Sequence, residues 1–260
     1  MAALESEALI LRSVDFGESD RILHLLVPEA GRLTAIAKGA RRSVRRFAGT
    51  LDLFNHLSVR IDWQRPGRVS RLDQARLLHN FAPLRSDPAR FALGCYLLEL
   101  LDRLAPEGAQ RADAARLFDF ALQTLEWIAA RRPTPQQRVL LLLRALDALG
   151  LRPELRACVR CGREPGERDA SRFHVAEGGP VCDACAERLS GLLSVQRGTL
   201  RALEQGLRLE PAQLDRLVLS PRALAEAEQL LDRFSRFHVG VELTSERFLR
   251  EMIPAVADRP

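Results

Sequence analysis

GRLTAIAKGARRSVRR, residues 31–46, alternates at its start: Leu33, Ala35 and Ala37 point one way, and Arg32, Thr34, Ile36 and Lys38 the other. A period of two marks a strand with one apolar face. The pattern breaks at Gly39 and runs into Arg41, Arg42, Arg45 and Arg46. A strand that ends in a glycine and a knot of permanent cations is a place to hold phosphates. The plainer alternative is a solvated basic loop, and the surroundings decide between the two.

Upstream, residues 7–14 are largely apolar, Phe16-Gly17-Glu18-Ser19 is a turn, and residues 20–27 alternate again. Pro28-Glu29-Ala30-Gly31 turns the chain into the quoted strand. Downstream, Leu57, Val59, Ile61 and Trp63 share one face and Ser58, Arg60 and Asp62 the other; Arg65-Pro66-Gly67-Arg68 turns into a fifth strand over 69–76. Five short strands separated by turn signals predict a small barrel, with a five-stranded OB type ahead of an SH3-like one.

The character changes at Phe81-Ala82-Pro83. Asp87-Pro88 opens a helix that stops near Pro106-Glu107-Gly108, and a second spans about 112–131. Thr134-Pro135-Gln136-Gln137 is a capping box; the helix it opens is apolar nearly all round and ends at Gly150, which marks it as central to a bundle. Short helices are expected over 194–207 and 211–217. Another follows Ser220-Pro221, with Leu224, Ala227, Leu231, Phe234 and Phe237 inward. A last helix is expected over 244–253, with a fraying tail from Pro254.

Charge is unevenly placed. Between residues 32 and 76 eleven Lys or Arg stand against three acids, a net +8, whereas the 260-residue chain carries +5. The rest is therefore net acidic, and the asymmetry points to a polyanion partner for the N-terminal part. Lys38 is the only lysine, so part of the arginine content reflects composition rather than function. No apolar run reaches membrane-spanning length, and the start MAALESEALILRSVDF lacks a cationic segment and cleavage site; the chain is read as cytoplasmic.

Cys158-x2-Cys161 and Cys182-x2-Cys185 have the spacing of a four-thiolate zinc site, in which two tight turns each aim two sulfurs at one ion. Between them a polar excursion (163–172) precedes a possible strand over 172–176. Four thiolates fill the coordination shell, so the expected role is structural. A deaminase reading fails on spacing: His174-Val175-Ala176-Glu177 and Pro180-Val181-Cys182 are each one residue too long. Cys95 lies on an apolar helix face and is read as core. There is no phosphate-binding G-x-x-x-x-G-K-[ST] or G-x-G-x-x-G, and the five histidines adjoin no nucleophile motif. An enzyme is not expected.

Phe16-Gly17-Glu18-Ser19-Asp20-Arg21-Ile22, Pro28-Glu29-Ala30-Gly31-Arg32 and Ala37-Lys38-Gly39-Ala40-Arg41-Arg42 together resemble the start of the RecO family of bacterial recombination mediators, and the paired CxxC motifs resemble those of many members. The resemblance implies an α+β protein: an N-terminal OB-fold β-barrel over residues 1–80, then a helical C-terminal domain over 81–254 with a four-cysteine zinc-finger module inserted at 156–188. It implies DNA repair without catalysis: binding single- and double-stranded DNA, annealing complementary strands, engaging RecR and the C-terminal tail of the single-strand-binding protein, and helping load the recombinase. A nucleoid-associated monomer with no membrane contact is the corresponding expectation. The matching DNA-binding positions are Lys38, Arg41 and Arg42; Arg32, Arg45 and Arg46 are added on charge and strand geometry. Phe47, Phe54 and Trp63 are candidate base-stacking residues, although Trp63 is in register with the core face. The competing reading is a zinc-containing protein-interaction adaptor without intrinsic DNA binding.

Overall fold

A computed structural model describes residues 2–43, 45–47, 49–164, 172–187 and 189–255. Two compact units divide the chain, Met1–Arg132 and Pro133–Pro260.

In the first unit, five strands form the barrel: β1 (Ala2–Phe16), β2 (Asp20–Val27), β3 (Gly31–Ala37), β4 (Asn55–Trp63) and β5 (Ser70–Asn80). They pair in the ring order β1-β2-β3-β5-β4, with β4 returning to β1. The long β1 serves two neighbours. Its first half pairs with β4 (Leu4↔Ile61) and its second with β2 (Val14↔Ile22), and the register shifts between Ile10 and Arg12 where it changes partner. Such a bulge bends a strand enough to curl the sheet. The weakest joint is the parallel β3–β5 contact, two residue pairs long (Ala35↔Ser70, Ile36↔Arg71). The alternation read from the sequence is the barrel's inside and outside: Leu23, Leu25, Leu33, Ala35, Ala37, Leu57, Val59, Ile61 and Leu72 make the core.

Three helices belong to the same unit: α1 (Ala82–Ser86), α2 (Pro88–Leu104) and α3 (Arg111–Ala130). The Asp87 side chain accepts from the Arg90 N–H and caps α2 as expected. α2 packs on β1, and α3 on β2 and β3. The α2–α3 link lies along the start of β3: Arg32 donates its N–H to the Pro106 carbonyl at 3.1 Å, and Ala109 to that of Ala30 at 3.1 Å. Gly31, at φ +74°, is required there, because a Cβ would stand 2.6 Å from the Pro106 oxygen. Phe54 adopts φ +66° and sets its ring against Gly94, where a Cβ would lie 2.8 Å from it.

The second unit is built on α4 (Pro135–Ala148), opened by the Thr134–Gln137 capping box. Its buried residues run unbroken from Gln137 to Leu143, so it is the central helix. α6 (Arg197–Arg208) and α7 (Pro221–His238) pack on it, and α8 (Thr244–Met252) ends the unit. Between α4 and α6 lies a three-stranded sheet in the order β7 (Gly179–Val181), β6 (Arg172–His174), β8 (Leu192–Ser194), with α5 (Asp183–Ala186) on the second cysteine pair.

Two expectations are corrected. Ser194 is in β8, not a helix, because Arg172 of β6 supplies its pairing partner. Phe237 is 60 % exposed rather than inward, although Leu224, Ala227, Leu231 and Phe234 are buried. Most of the excursion expected over 163–172, and the end of the tail, lie outside the described residues.

Candidate functional site

The cationic loop is held in shape by its backbone. Gly39 leaves β3 at φ +66° and donates its N–H to Asp20 Oδ1 at 2.8 Å. That hydrogen bond, with help from Ser19 and the Lys38 charge against a smaller opposing effect of burial, holds the Asp20 carboxyl below the usual carboxylate range. A 3-10 turn (Ala40–Arg42) follows, and the Arg41 N–H donates to the Ser19 carbonyl at 2.9 Å. Arg46 closes the loop, donating from Nη2 to the Lys38 carbonyl at 2.8 Å, while its own carbonyl accepts from the Ala75 N–H of β5 at 3.1 Å. The loop is therefore tied to the β1–β2 hairpin at one end and to β5 at the other.

Lys38, Arg41, Arg42 and Arg45 are exposed, and Arg46 half-buried. Arg41 lies 3.5 Å from Asp15, and Arg42 3.8 Å from Glu18. Surface pairs of this kind contribute at most about 1 kcal/mol, so an incoming phosphate can replace the carboxylates. From Arg45 and Arg46 the cations continue into a groove of about 620 Å³ across β4 and β5, where Arg60 and Arg76 join them and Glu5 is the one acid of the lining. Arg60 and Arg76 were absent from the sequence-derived site. The signal was present, because alternation along β4 already places Arg60 outward.

Arg32 is set apart from this group. Its Nε lies 3.2 Å from Asp102 Oδ1, its Nη1 pairs with Glu107, and its side chain is 20 % exposed. The same Asp102 oxygen is 2.5 Å from His24 Nδ1. Burial pushes the Asp102 carboxyl up, but His24 and Arg32 together hold it below its usual value. Arg32 thus ties α2 to the barrel.

The aromatic candidates are also corrected. Phe47 and Phe54 are buried, at 2 % and 0 % exposure, and neither face can receive a base. Phe47 plugs the barrel with the Arg46 guanidinium 5.1 Å over its ring; Phe54 meets Phe91 edge-on at 5.5 Å. Trp63 packs against the barrel core, as its register implied.

The four cysteines converge. Their sulfurs all lie within 4.8 Å of one another, and Cys161 and Cys182 Sγ are 3.8 Å apart. A tetrahedron with metal–sulfur bonds of about 2.3 Å has edges of about 3.8 Å. The first knuckle closes through the Gly162 N–H to the Cys158 carbonyl at 2.8 Å, with Gly162 at φ +72°; the second through the Cys185 N–H to the Cys182 carbonyl at 3.0 Å. Val159 donates to the Pro180 carbonyl at 3.0 Å and locks one knuckle to the strand leading into the other. Burial pushes the Cys158 thiol up, but N–H groups from Cys182, Cys161 and Arg160 outweigh it and hold the thiol at about 6. The Cys185 N–H, chiefly, likewise lowers Cys182, whereas Cys185 is raised because it donates to its neighbours. Four converging sulfurs, two of them drawn toward the thiolate, can hold a metal ion. Cys95 is different: burial pushes its thiol up to about 11, as suits a packing residue.

Comparison with known proteins agrees with both halves of the chain. Residues 1–81 match the family model described as "Recombination protein O N terminal", and residues 85–247 that described as "Recombination protein O C terminal". The chain is 37 % identical over 257 residues to a protein named DNA repair protein RecO from Anaeromyxobacter sp. (strain K), covering 98 % of each. Proteins of the same name from Myxococcus xanthus and Geobacter sulfurreducens are 36 % and 35 % identical, over 97 % and 98 % of this chain and 99 % and 100 % of theirs.

Proposed function

Because the chain belongs to the RecO family of DNA repair proteins, we propose that it is a non-catalytic mediator that binds single- and double-stranded DNA through the rim of its barrel. The observation that carries this reading is the continuous cationic path from Lys38, Arg41 and Arg42 through Arg45 and Arg46 into the groove with Arg60 and Arg76. Contacts to phosphates carry no sequence information, which suits a protein acting wherever DNA is damaged. A cationic surface that screens two strands also allows them to pair, and this is the basis for proposing annealing. RecR and the C-terminal tail of the single-strand-binding protein are the proposed partners in loading the recombinase, at the nucleoid in the cytoplasm. Among the described residues, no helix is long and apolar enough to cross a membrane.

The cysteine cluster is proposed to hold zinc. Zinc accepts four thiolates in a tetrahedron with no redox requirement, and Cys158, Cys161, Cys182 and Cys185 would hold it between two knuckles. The ion would staple the small sheet; with four thiolates bound it has no position for water or substrate, in keeping with a structural role. Metal analysis of the reduced protein should give one zinc per chain, and iron or no metal would reject the assignment.

The deciding experiment is a titration of single-stranded and duplex DNA across salt concentrations. Affinity should fall steeply with salt for both, by about 0.7 to 0.9 in log–log slope per phosphate neutralised. A protein that binds neither substrate, yet still captures RecR, would instead be the adaptor.

A further inference from the structure

With Phe47 and Phe54 buried, the barrel rim still carries one open ring. Among the described residues of the first unit, Phe16 is the exposed Phe, Tyr or Trp, at 52 %. It ends β1 directly opposite Asp20 of β2. Lys38 follows Ala37, the partner of Arg21, so Lys38 stands level with Asp20 on the next strand. The closeness is electrostatically visible, since the Lys38 charge is among the causes that lower the Asp20 carboxyl. Alternation fixes the side: Ala37 is in the core, so Phe16, Asp20 and Lys38 form one outward row. Two strand spacings separate the Phe16 backbone from that of Lys38, about 10 Å. The next row, Val14↔Ile22↔Ile36, extends the apolar surface, with Val14 43 % exposed. The acids nearby are engaged: Asp15 by Arg21 and Arg41, Glu18 by Arg42, and Asp20 by the Gly39 N–H.

We infer that Phe16 is a stacking platform for an unpaired base of single-stranded DNA whose phosphates run along Lys38, Arg41 and Arg42. The occupant follows from the surroundings. A small apolar strip bordered by cations complements a chain that alternates flat π-faces with negative charge, and stacking on an aromatic ring tolerates any base. Duplex bases offer no free face, so the ring adds a preference for single strands that phosphate contacts alone do not supply. The hairpin that carries Phe16 is hydrogen-bonded to the cationic loop through Arg41 and Gly39, so ring and cations are presented as one piece. This inference rests on the proposed DNA binding.

The test uses the full-length protein, wild type, Phe16→Ala and Phe16→Trp, with a single-stranded oligonucleotide containing 2-aminopurine and a duplex of equal length. Phe16→Ala should weaken single-strand binding about tenfold while duplex affinity stays within about twofold. Its salt slope should match wild type, because no phosphate contact is lost. Quenching of 2-aminopurine on binding should vanish in Phe16→Ala and persist in Phe16→Trp. Equal single-strand affinity in Phe16→Ala and wild type, or an equal loss on both substrates, would overturn the inference. So would sedimentation showing a wild-type dimer that Phe16→Ala disperses, which would give the surface to a second copy. If wild type itself shows no salt-dependent DNA affinity, the DNA reading fails with it. Intact wild-type binding with an indifferent Phe16→Ala removes the platform alone.

Discussion

The cationic rim and the cysteine cluster each gather like groups, but by opposite means. Lys38, Arg41, Arg42 and Arg45 stand exposed on a loop whose shape is set by backbone hydrogen bonds and by Asp20. Cys158 and Cys182 are each 1 % exposed and form the interior of their module. On the rim the charged tips can change while the loop keeps its shape. In the cluster two of the gathered sulfurs, those of Cys158 and Cys182, belong to the core, so losing either is a folding event. The difference separates the surface proposed to bind from the cluster proposed to stabilise, and four measurements can break or sharpen it.

The largest effect should come from Cys182→Ser. Loss of a buried sulfur should release the proposed zinc, whose binding in small zinc domains is worth on the order of 10 kcal/mol. The metal content should fall to zero and unfolding of the second unit should come at a markedly lower temperature, while DNA affinity of the first unit persists. A parallel collapse of DNA binding would break the separation.

Next is Asp102→Asn, which keeps an acceptor oxygen but removes the buried negative charge that faces His24 and Arg32, and should cost about 3 kcal/mol in denaturant unfolding. Its pH dependence has a definite sign. The folded carboxyl lies below its ordinary 3.8, so its contribution is fully present above about pH 4 and disappears as pH falls through the folded value. The gap between wild type and Asp102→Asn should therefore close on acidification. DNA affinity at neutral pH should stay close to wild type, which would place Arg32 outside the interface.

The triple Lys38→Glu, Arg41→Glu, Arg42→Glu should lower DNA affinity about 100-fold at low salt and reduce the single-strand salt slope by about 2, with thermal stability little changed. An unchanged slope would mean that these cations do not meet phosphates. The smallest effect is expected from Arg60→Ala, Arg76→Ala: about a tenfold loss and a slope lower by about 1.4. No loss would end the DNA path at the loop.

Much of this was legible in the sequence, for local reasons. The barrel strands announce themselves because one face is core and the turns need glycine, as Gly17 and Gly31 at positive φ confirm. Asp87 and Thr134 cap helices through contacts three residues away, and the cysteine spacing encodes its own geometry. What failed was non-local. Alternation places Arg32 outside the barrel, but outside is not solvent where α2 brings Asp102 against it. Phe54 sits in a loop-like stretch, yet a left-handed backbone turns its ring inward onto Gly94. Ser194 becomes a strand only because β6, well before it in the chain, offers an edge. Phe16, read as part of a turn, ends a strand whose outer face is open.

The seam at Gly31 separates two meanings of the word domain. The N-terminal family model ends at residue 81, whereas the compact unit continues to Arg132. A fragment ending at residue 81 would strip the Arg32 N–H and the Ala30 carbonyl of their partners at Pro106 and Ala109, and uncover the ring of Phe54. Each orphaned polar group costs about 1–3 kcal/mol if it stays out of water, and the bared ring invites association with other chains. The body that packs as one thus takes in α2 and α3 together with the barrel strands.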